Sequence, residues 1–372
     1  MAPPVTSYRA LALCLLLALA ASVAFAEDKE SRHRENVVPP PFPAILSVST
    51  IPATGDSNPY GVAFVPEGFP SGGPLEPGDV LVSNFNGGQG FQGTGTTIMQ
   101  IKQNGGPASV FFQGSQGLGL TTALGVLEQG FVLVGSVPTT DGACDTITAG
   151  ALLIIDRFGN LVTTLTDDVL LNGPWDLTVH QKKGGAQVFV SNVLGGTVTR
   201  LDIQIPHGGS PEIESETQIA SGYSTACNQA AVVVGPTGLA FDSRRDILYV
   251  ASTDDNTIFA IHHASEARHD DGTGRLVYQD GAHLHGPLAL ALAPNGHLLT
   301  ANGDAVFADP NHFSEIVEFT REGHFVSEFQ VDPVVGSAFG LAIIPVKGGA
   351  LFAAVDDNTS FLEEWFVPLD ND

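Results

Sequence analysis

The chain is predicted to be all-β, a ring of repeated four-stranded sheets, and three observations predict it. A short motif, a turn residue followed by a small residue and an apolar strand, recurs six times, with its third residue at 61, 125, 176, 238, 289 and 340. Within a repeat, strand follows strand across Asp/Asn/Gly turns. No segment sustains a helical period with caps, and only 262–271 has room for a helical turn. Turn formers are abundant, with 43 Gly and 24 Pro, while only 15% of the 372 residues are charged. Four strands in each period of 51 to 64 residues describe the blade of a β-propeller, so six blades are expected in one domain, residues 45–372.

Residues 1–26 read as an export signal. Arg9 precedes the apolar run Ala10–Leu19, and Ala24-Phe25-Ala26 is a small-x-small cleavage site. Residues 27–44 are charged and then Pro-rich (Pro39-Pro40-Pro41-Phe42-Pro43), a flexible tether without a core of its own. No later stretch approaches 18 apolar residues, so a secreted or periplasmic protein without a membrane span is expected.

The repeats begin at Pro59-Tyr60-Gly61-Val62-Ala63-Phe64. They return at Ala123-Leu124-Gly125-Val126-Leu127, Pro174-Trp175-Asp176-Leu177-Thr178-Val179, Pro236-Thr237-Gly238-Leu239-Ala240-Phe241, Pro287-Leu288-Ala289-Leu290-Ala291-Leu292 and Ala338-Phe339-Gly340-Leu341-Ala342-Ile343. The fourth repeat continues into Ile247-Leu248-Tyr249-Val250-Ala251-Ser252, the turn Asp254-Asp255-Asn256, Thr257–Ile261 and Arg275–Gln279. The sixth holds only three strands, 339–344, 350–356 and 361–367. The strand Ile45–Thr50 is therefore expected to supply the fourth and clasp the ring, removing its open edges.

The sequence Gly-Leu-Ala-Phe at 238–241, followed by Ile-Leu-Tyr-Val-Ala-Ser and Asp-Asp-Asn-Thr-Ile, resembles the NHL-repeat propellers. It is also similar to the senescence-marker-protein/gluconolactonase family. The second resemblance implies a divalent cation in the central funnel, held by Glu, Asn and Asp, that polarises a lactone carbonyl while an acid/base residue moves the proton. That family opens its first blade with Glu-Gly-Pro, where this chain has Asn58-Pro59-Tyr60-Gly61; Asp176 is the carboxylate that could substitute.

Propeller topology brings the residues before inner strands and those after second strands to one face. Here these are Asn58, Asp176 and His285, then Asn84, Asn192, Asp254, Asp255, Asn302, Asp304, Asp356 and Asp357. Such oxygens suit Ca²⁺ ahead of Zn²⁺ or Mg²⁺, and the expected ligands are Asp176, Asn192, Asp254, Asn302, Asp304 and Asp356. Each is equally a turn former. No complete catalytic set emerges; the acid/base candidates are Asp176, Asp254 and His285. His283 and His285, alternating in an extended segment, would face one side and could bind a transition metal, an arrangement similar to virginiamycin B lyase, or lie in a plain surface loop. His180, His297 and His324 are expected at exposed far turns.

No Gly-x-Ser-x-Gly elbow or P-loop occurs. The formal charge of −25 argues against nucleic acid and anionic lipid as partners. Cys144 and Cys227 are the only cysteines beyond the signal and are expected to form a disulfide bracing the rim. Asn358-Thr359-Ser360 is a glycosylation sequon. Two functions stay open: a monomeric binding module presenting its funnel face to a small molecule or protein, which is favoured, and a metal-dependent lactonase or lyase.

Overall fold

A computed structural model describes residues 43–369; the segment read as an export signal and all but the last two residues of the expected tether lie outside them. The chain begins with β1 (Leu46–Ser49) and then builds one antiparallel sheet after another. Blade one is β2 (Ser57–Phe64), β3 (Val80–Asn86), β4 (Thr97–Ile101) and β5 (Ser109–Gln113). Blade two is β6 (Leu120–Leu127), β7 (Phe131–Ser136), β8 (Ala151–Asp156) and β9 (Leu161–Leu165). Blade three is β10 (Pro174–Lys182), β11 (Gly185–Asn192), β12 (Thr197–Gln204) and β13 (Glu212–Ser221). A small hairpin, β14 (Ala226–Asn228) with β15 (Val232–Val234), interrupts the series. Blade four is β16 (Pro236–Asp242), β17 (Ile247–Ser252), β18 (Thr257–His262) and β19 (Arg275–Tyr278). Blade five is β20 (Pro287–Leu292), β21 (Leu298–Asn302), β22 (Glu315–Phe319) and β23 (Phe325–Gln330). Blade six is β24 (Ala338–Val346), β25 (Gly349–Asp356) and β26 (Phe361–Pro368), completed by β1.

The clasp is as expected: β1 runs antiparallel to β26, with Leu46 opposite Glu364 and Val48 opposite Leu362. Thr50 joins the two ends of the ring. Its amide and Oγ1 both bond the Ser360 carbonyl, and its own carbonyl accepts Asn84 Nδ2 of blade one.

Inner strands are covered on both faces and read as near-continuous small and apolar runs; outer strands such as β9 lie half in solvent. Every inner strand carries an irregularity in its pairing near its start: Pro59/Val62, Leu120/Leu124, Pro174/Asp176, Pro236/Leu239, Pro287/Leu290 and Ala338/Leu341. These bulges bend the strands toward the axis. There the backbones approach so closely that a Cβ on Gly238 would collide with the Leu288 carbonyl, and one on Gly340 with the Tyr60 carbonyl. Hydroxyls stitch neighbouring blades at this level, Ser83 to the Thr121 carbonyl, Thr121 to Pro174, Ser191 to Thr237 and Thr237 to Pro287.

Three local expectations are corrected. Residues 263–266 make a turn, and among the described residues only Cys144–Thr146 is helical, a single 3₁₀ turn. His297 is buried rather than exposed, its Nδ1 2.6 Å from Oε1 of the buried Glu318 on β22. His283 and His285 do not form a pair, since the segment is a turn: His283 stacks on Phe325 at 3.7 Å and meets Glu328, whereas His285 turns inward and its Nδ1 donates to the Phe307 carbonyl at 2.6 Å.

Candidate active site in the axial channel

The expected polar funnel is not what occupies the axis on the rim face. Tyr60, Phe85, Trp175, Leu288 and Phe339 fill it as one apolar cluster, with Tyr60 stacked 4.4 Å from Phe85 and 4.5 Å from Phe339. Val232 and Val233 of the small hairpin join this cluster, both buried. The hairpin is held by the Cys144–Cys227 disulfide, whose Cα atoms are 5.7 Å apart, by Gln92 Nε2 bonding the Ala230 carbonyl, and by Asn228 Nδ2 bonding the Ala305 carbonyl. Loops of blades one, two and five thus anchor the plug's cover. An expectation drawn from topology missed this because the residues beside the turn formers, not the turn formers, reach the axis.

The proposed ligands do not meet at one point, although Asn302 and Asp304 share a blade. Asn192 and Asn302 latch the loops that enter their own inner strands, donating Nδ2 to the carbonyls of Leu170 and His283. Asp304 closes the loop after β21 by accepting the amides of Ser314 and Gly336. Asp356 accepts the Thr359 hydroxyl within its turn. Asp254 lies partly exposed beside Asp255, and burial and that neighbour raise its pKa. Among the described residues, no three His, Cys, Asp or Glu side chains are grouped to hold a metal ion. The apolar axis therefore does not fit the divalent cation that the gluconolactonase resemblance implies.

Blade five does gather three of the sequence candidates, His285, Asn302 and Asp304, and adds Glu315, which sequence reasoning did not single out. Asn302 Oδ1 accepts the His285 amide at 2.9 Å and its Nδ2 lies 3.3 Å from Glu315 Oε2. His285 Nε2, Asp304 Oδ1 and Glu315 Oε1 are all buried without a partner. Because Nδ1 donates to a carbonyl, neutral His285 presents an unprotonated Nε2. Burial raises the pKa of both Asp304 and Glu315.

Beneath the plug, the inner strands enclose a channel of about 350 Å³. Apolar side chains such as Phe64, Val126, Val179, Phe241, Leu292 and Ile344 line it together with Thr122, Thr178 and Gln181, and more of its exposed surface is polar than apolar. Strand register aligns one position across the six inner strands. The six that precede Val62, Leu124, Leu177, Leu239, Leu290 and Leu341 are equivalent: Gly61, Ala123, Asp176, Gly238, Ala289 and Gly340. Register thus replaces Gly125 by Ala123 in blade two. Five of these positions hold Gly or Ala and one holds Asp176.

Asp176 Oδ1 accepts the Leu177 amide at 2.8 Å and Oδ2 the Leu239 amide at 3.1 Å. Its accessible surface faces the channel, deep in the fold. Burial pushes its carboxyl up to about 8, against the opposing pull of the two amides. A carboxyl pushed up toward neutrality and facing a narrow cavity can both accept and return a proton. The sequence signal was an Asp among small residues at one repeat position.

No family model matches the chain, and no curated protein does. Solved structures do. A gluconolactonase from Xanthomonas campestris is 16% identical, covers 90% of this chain and all of its own, and has a TM-score of 0.54. A calcium-binding protein, regucalcin, from Agrobacterium tumefaciens is 14% identical over 89% of this chain and 96% of its own, with a TM-score of 0.52. An α-L-arabinanase from Penicillium chrysogenum is 9% identical over 87% and 98%, also at 0.52. The chain thus has the six-bladed β-propeller fold found in gluconolactonase and regucalcin.

Proposed function

We propose that the chain is a lactonase-type hydrolase whose reaction takes place in the axial channel, with Asp176 as the acid–base group. The observation that carries this is the Asp176 carboxyl, at a strand position held by Gly or Ala in the other five blades, facing a cavity of about 350 Å³ and pushed by burial up to about 8. That volume, at the small end of ligand sites, suits a compact neutral lactone or ester. The Asp176 carboxylate takes a proton from water as the water oxygen bonds to the carbonyl carbon. When the carbon–oxygen bond of the ring breaks, the same carboxyl returns the proton to the departing alkoxide, leaving a hydroxy acid. The fold shared with a gluconolactonase supports this class of reaction. No step is assigned to a metal ion, because the axial donors do not fit one.

The test is a panel of five- and six-membered lactones and small esters, assayed with the intact protein before and after chelation. Turnover lowered about 10²–10⁴-fold in Asp176→Asn and untouched by a chelator is expected; turnover that the substitution leaves unchanged, or that needs an added divalent ion, overturns the assignment. A second reading, retention of a small ligand without turnover, is favoured by the absence of Ser, Cys, His or Lys among the channel-lining residues. Saturable binding without product would select it.

A further inference from the structure

A second cavity lies off the axis on the rim face. It opens between blades one and two and measures about 630 Å³, within the range of small-molecule sites, about 300–1,000 Å³. Its walls come from the segment before β2, the β3–β4 loop, the end of β5 with the β5–β6 loop, and the β7–β8 loop. In a chain of net charge −25 this lining is nearly free of ionisable groups. The exception, Asp56, is buried, and its Oδ2 accepts the Thr96 amide and the hydroxyls of Thr96 and Thr97.

What remains is neutral and mixed: more apolar than polar by exposed surface, with one aromatic ring and a set of uncharged amide and hydroxyl groups. Phe91 presents 46% of its surface. Gln89, Gln116, Thr140 and Thr148 are exposed around it and direct amide and hydroxyl groups into solvent. Selection by elimination follows. Nothing in the wall neutralises an anion, and the one carboxylate, Asp56, is buried and already accepts three hydrogen bonds at Oδ2. A purely apolar ligand would strip water from four amide and hydroxyl groups without replacing their hydrogen bonds. A ligand with hydroxyls around its edge and a ring face of C–H groups matches every component, since carbonyl and hydroxyl groups pair with its hydroxyls and the phenyl ring covers its apolar face.

We propose that this cleft binds a neutral carbohydrate of one or two sugar units, independently of the axial channel. The β7–β8 wall is fixed by the Cys144–Cys227 disulfide, so the cleft is preformed rather than assembled around its ligand.

The test is calorimetric and NMR titration of the intact protein with glucose, galactose, arabinose, cellobiose, maltose and lactose, with glucuronate and glucosamine as charged controls. Binding of at least one neutral sugar is expected, with Phe91→Ala and Gln116→Ala each weakening it roughly tenfold. Neither residue is buried, so both variants should melt as the wild type does. Phe91→Tyr, which keeps a ring, should retain binding and guards against misfolding of the alanine variant. Asp176→Asn should bind the sugar unchanged, which separates this site from the channel. No neutral sugar bound, affinity indifferent to both alanine substitutions, or preference for a charged control overturns the proposal.

Discussion

Asp176 and Leu239 join two blades through one side chain: Asp176 Oδ2 of blade three accepts the Leu239 amide of blade four at 3.1 Å, while Oδ1 accepts Leu177 N. Elsewhere in the ring, Gly or Ala at the equivalent position gives no such bridge. The carboxyl is thus tied to the scaffold through both oxygens and still faces the channel, a combination that holds a reactive group in place.

Replacing Asp176 therefore has two separable consequences. Asp176→Asn keeps one acceptor but turns an NH₂ toward one of two amide donors, and a loss of about 1–3 kcal/mol in stability is expected. Turnover should fall by about 10²–10⁴-fold, the usual contribution of a positioned acid–base group. In the wild type the base form is required, so the rate should rise with pH and level off above about 8. A rate flat across that range would remove Asp176 from the chemistry.

Stability should move in the opposite direction over the same pH range. Burial pushes Asp176 up to about 8, and Asp357, beside Asp356, and Glu364 each up to about 7. Glu364 Oε2 is buried without a partner. All three hold protons more tightly folded than unfolded, so the folded chain binds more protons between about pH 4 and 8, and stability falls as pH rises through that window. Carboxyls held low by hydrogen bonds, Asp202 and Asp270 among them, act at more acid pH, their stabilisation fading below about 4. The melting temperature should accordingly peak near about pH 5 and be several degrees lower near about 8.5. A midpoint that climbs across this interval would refute the assignment.

The disulfide offers a third check. Cys144 and Cys227 enclose an 83-residue separation and fasten the hairpin carrying Val232 and Val233 onto Trp175, which is 1% exposed. Reduction should cost about 2–5 kcal/mol. It should also loosen the plug, shifting tryptophan emission to the red. Trp365, the other tryptophan, is packed in blade six away from the hairpin, so Trp365→Phe assigns the shift. Unchanged emission on full reduction would show that the plug stands without its cover.

The blades, their number and the clasp were legible because each depends on local rules repeated six times: turn residues, strand-length apolar runs and a missing final strand. The disulfide followed from there being two cysteines beyond the segment read as an export signal. The axis was not legible. Turn-forming Asp and Asn at the blade tops mark where loops bend, but in the fold Asn192 and Asn302 spend their amides on those same loops. Tyr60, Phe85 and Trp175, adjacent in sequence to polar candidates, meet only through ring closure. Asp176 was singled out, yet its setting required strand register: the bulges shift the repeat so that Ala123, not Gly125, is its counterpart. Glu315 begins a third strand, a position the loop-based reasoning did not consider.

Ring closure itself can be tested by removing β1. Leu46 and Val48 pack against the core cluster that spans blades six and one, and Thr50, fully buried, bonds both Ser360 and Asn84. A chain starting after residue 50 would lose these contacts and leave the β26 edge, with Glu364 and Leu362 behind it, unpaired. An open edge of this kind pairs with other chains, so the truncated protein should melt lower and associate through blade six. A synthetic peptide of residues 44–51 added in trans should restore both the melting temperature and the association state of the intact chain, whereas the same peptide with Val48→Pro, which removes a ladder donor and the fit of the strand, should not. A truncated chain that melts as the intact one would show that the ring is held shut by blade packing alone.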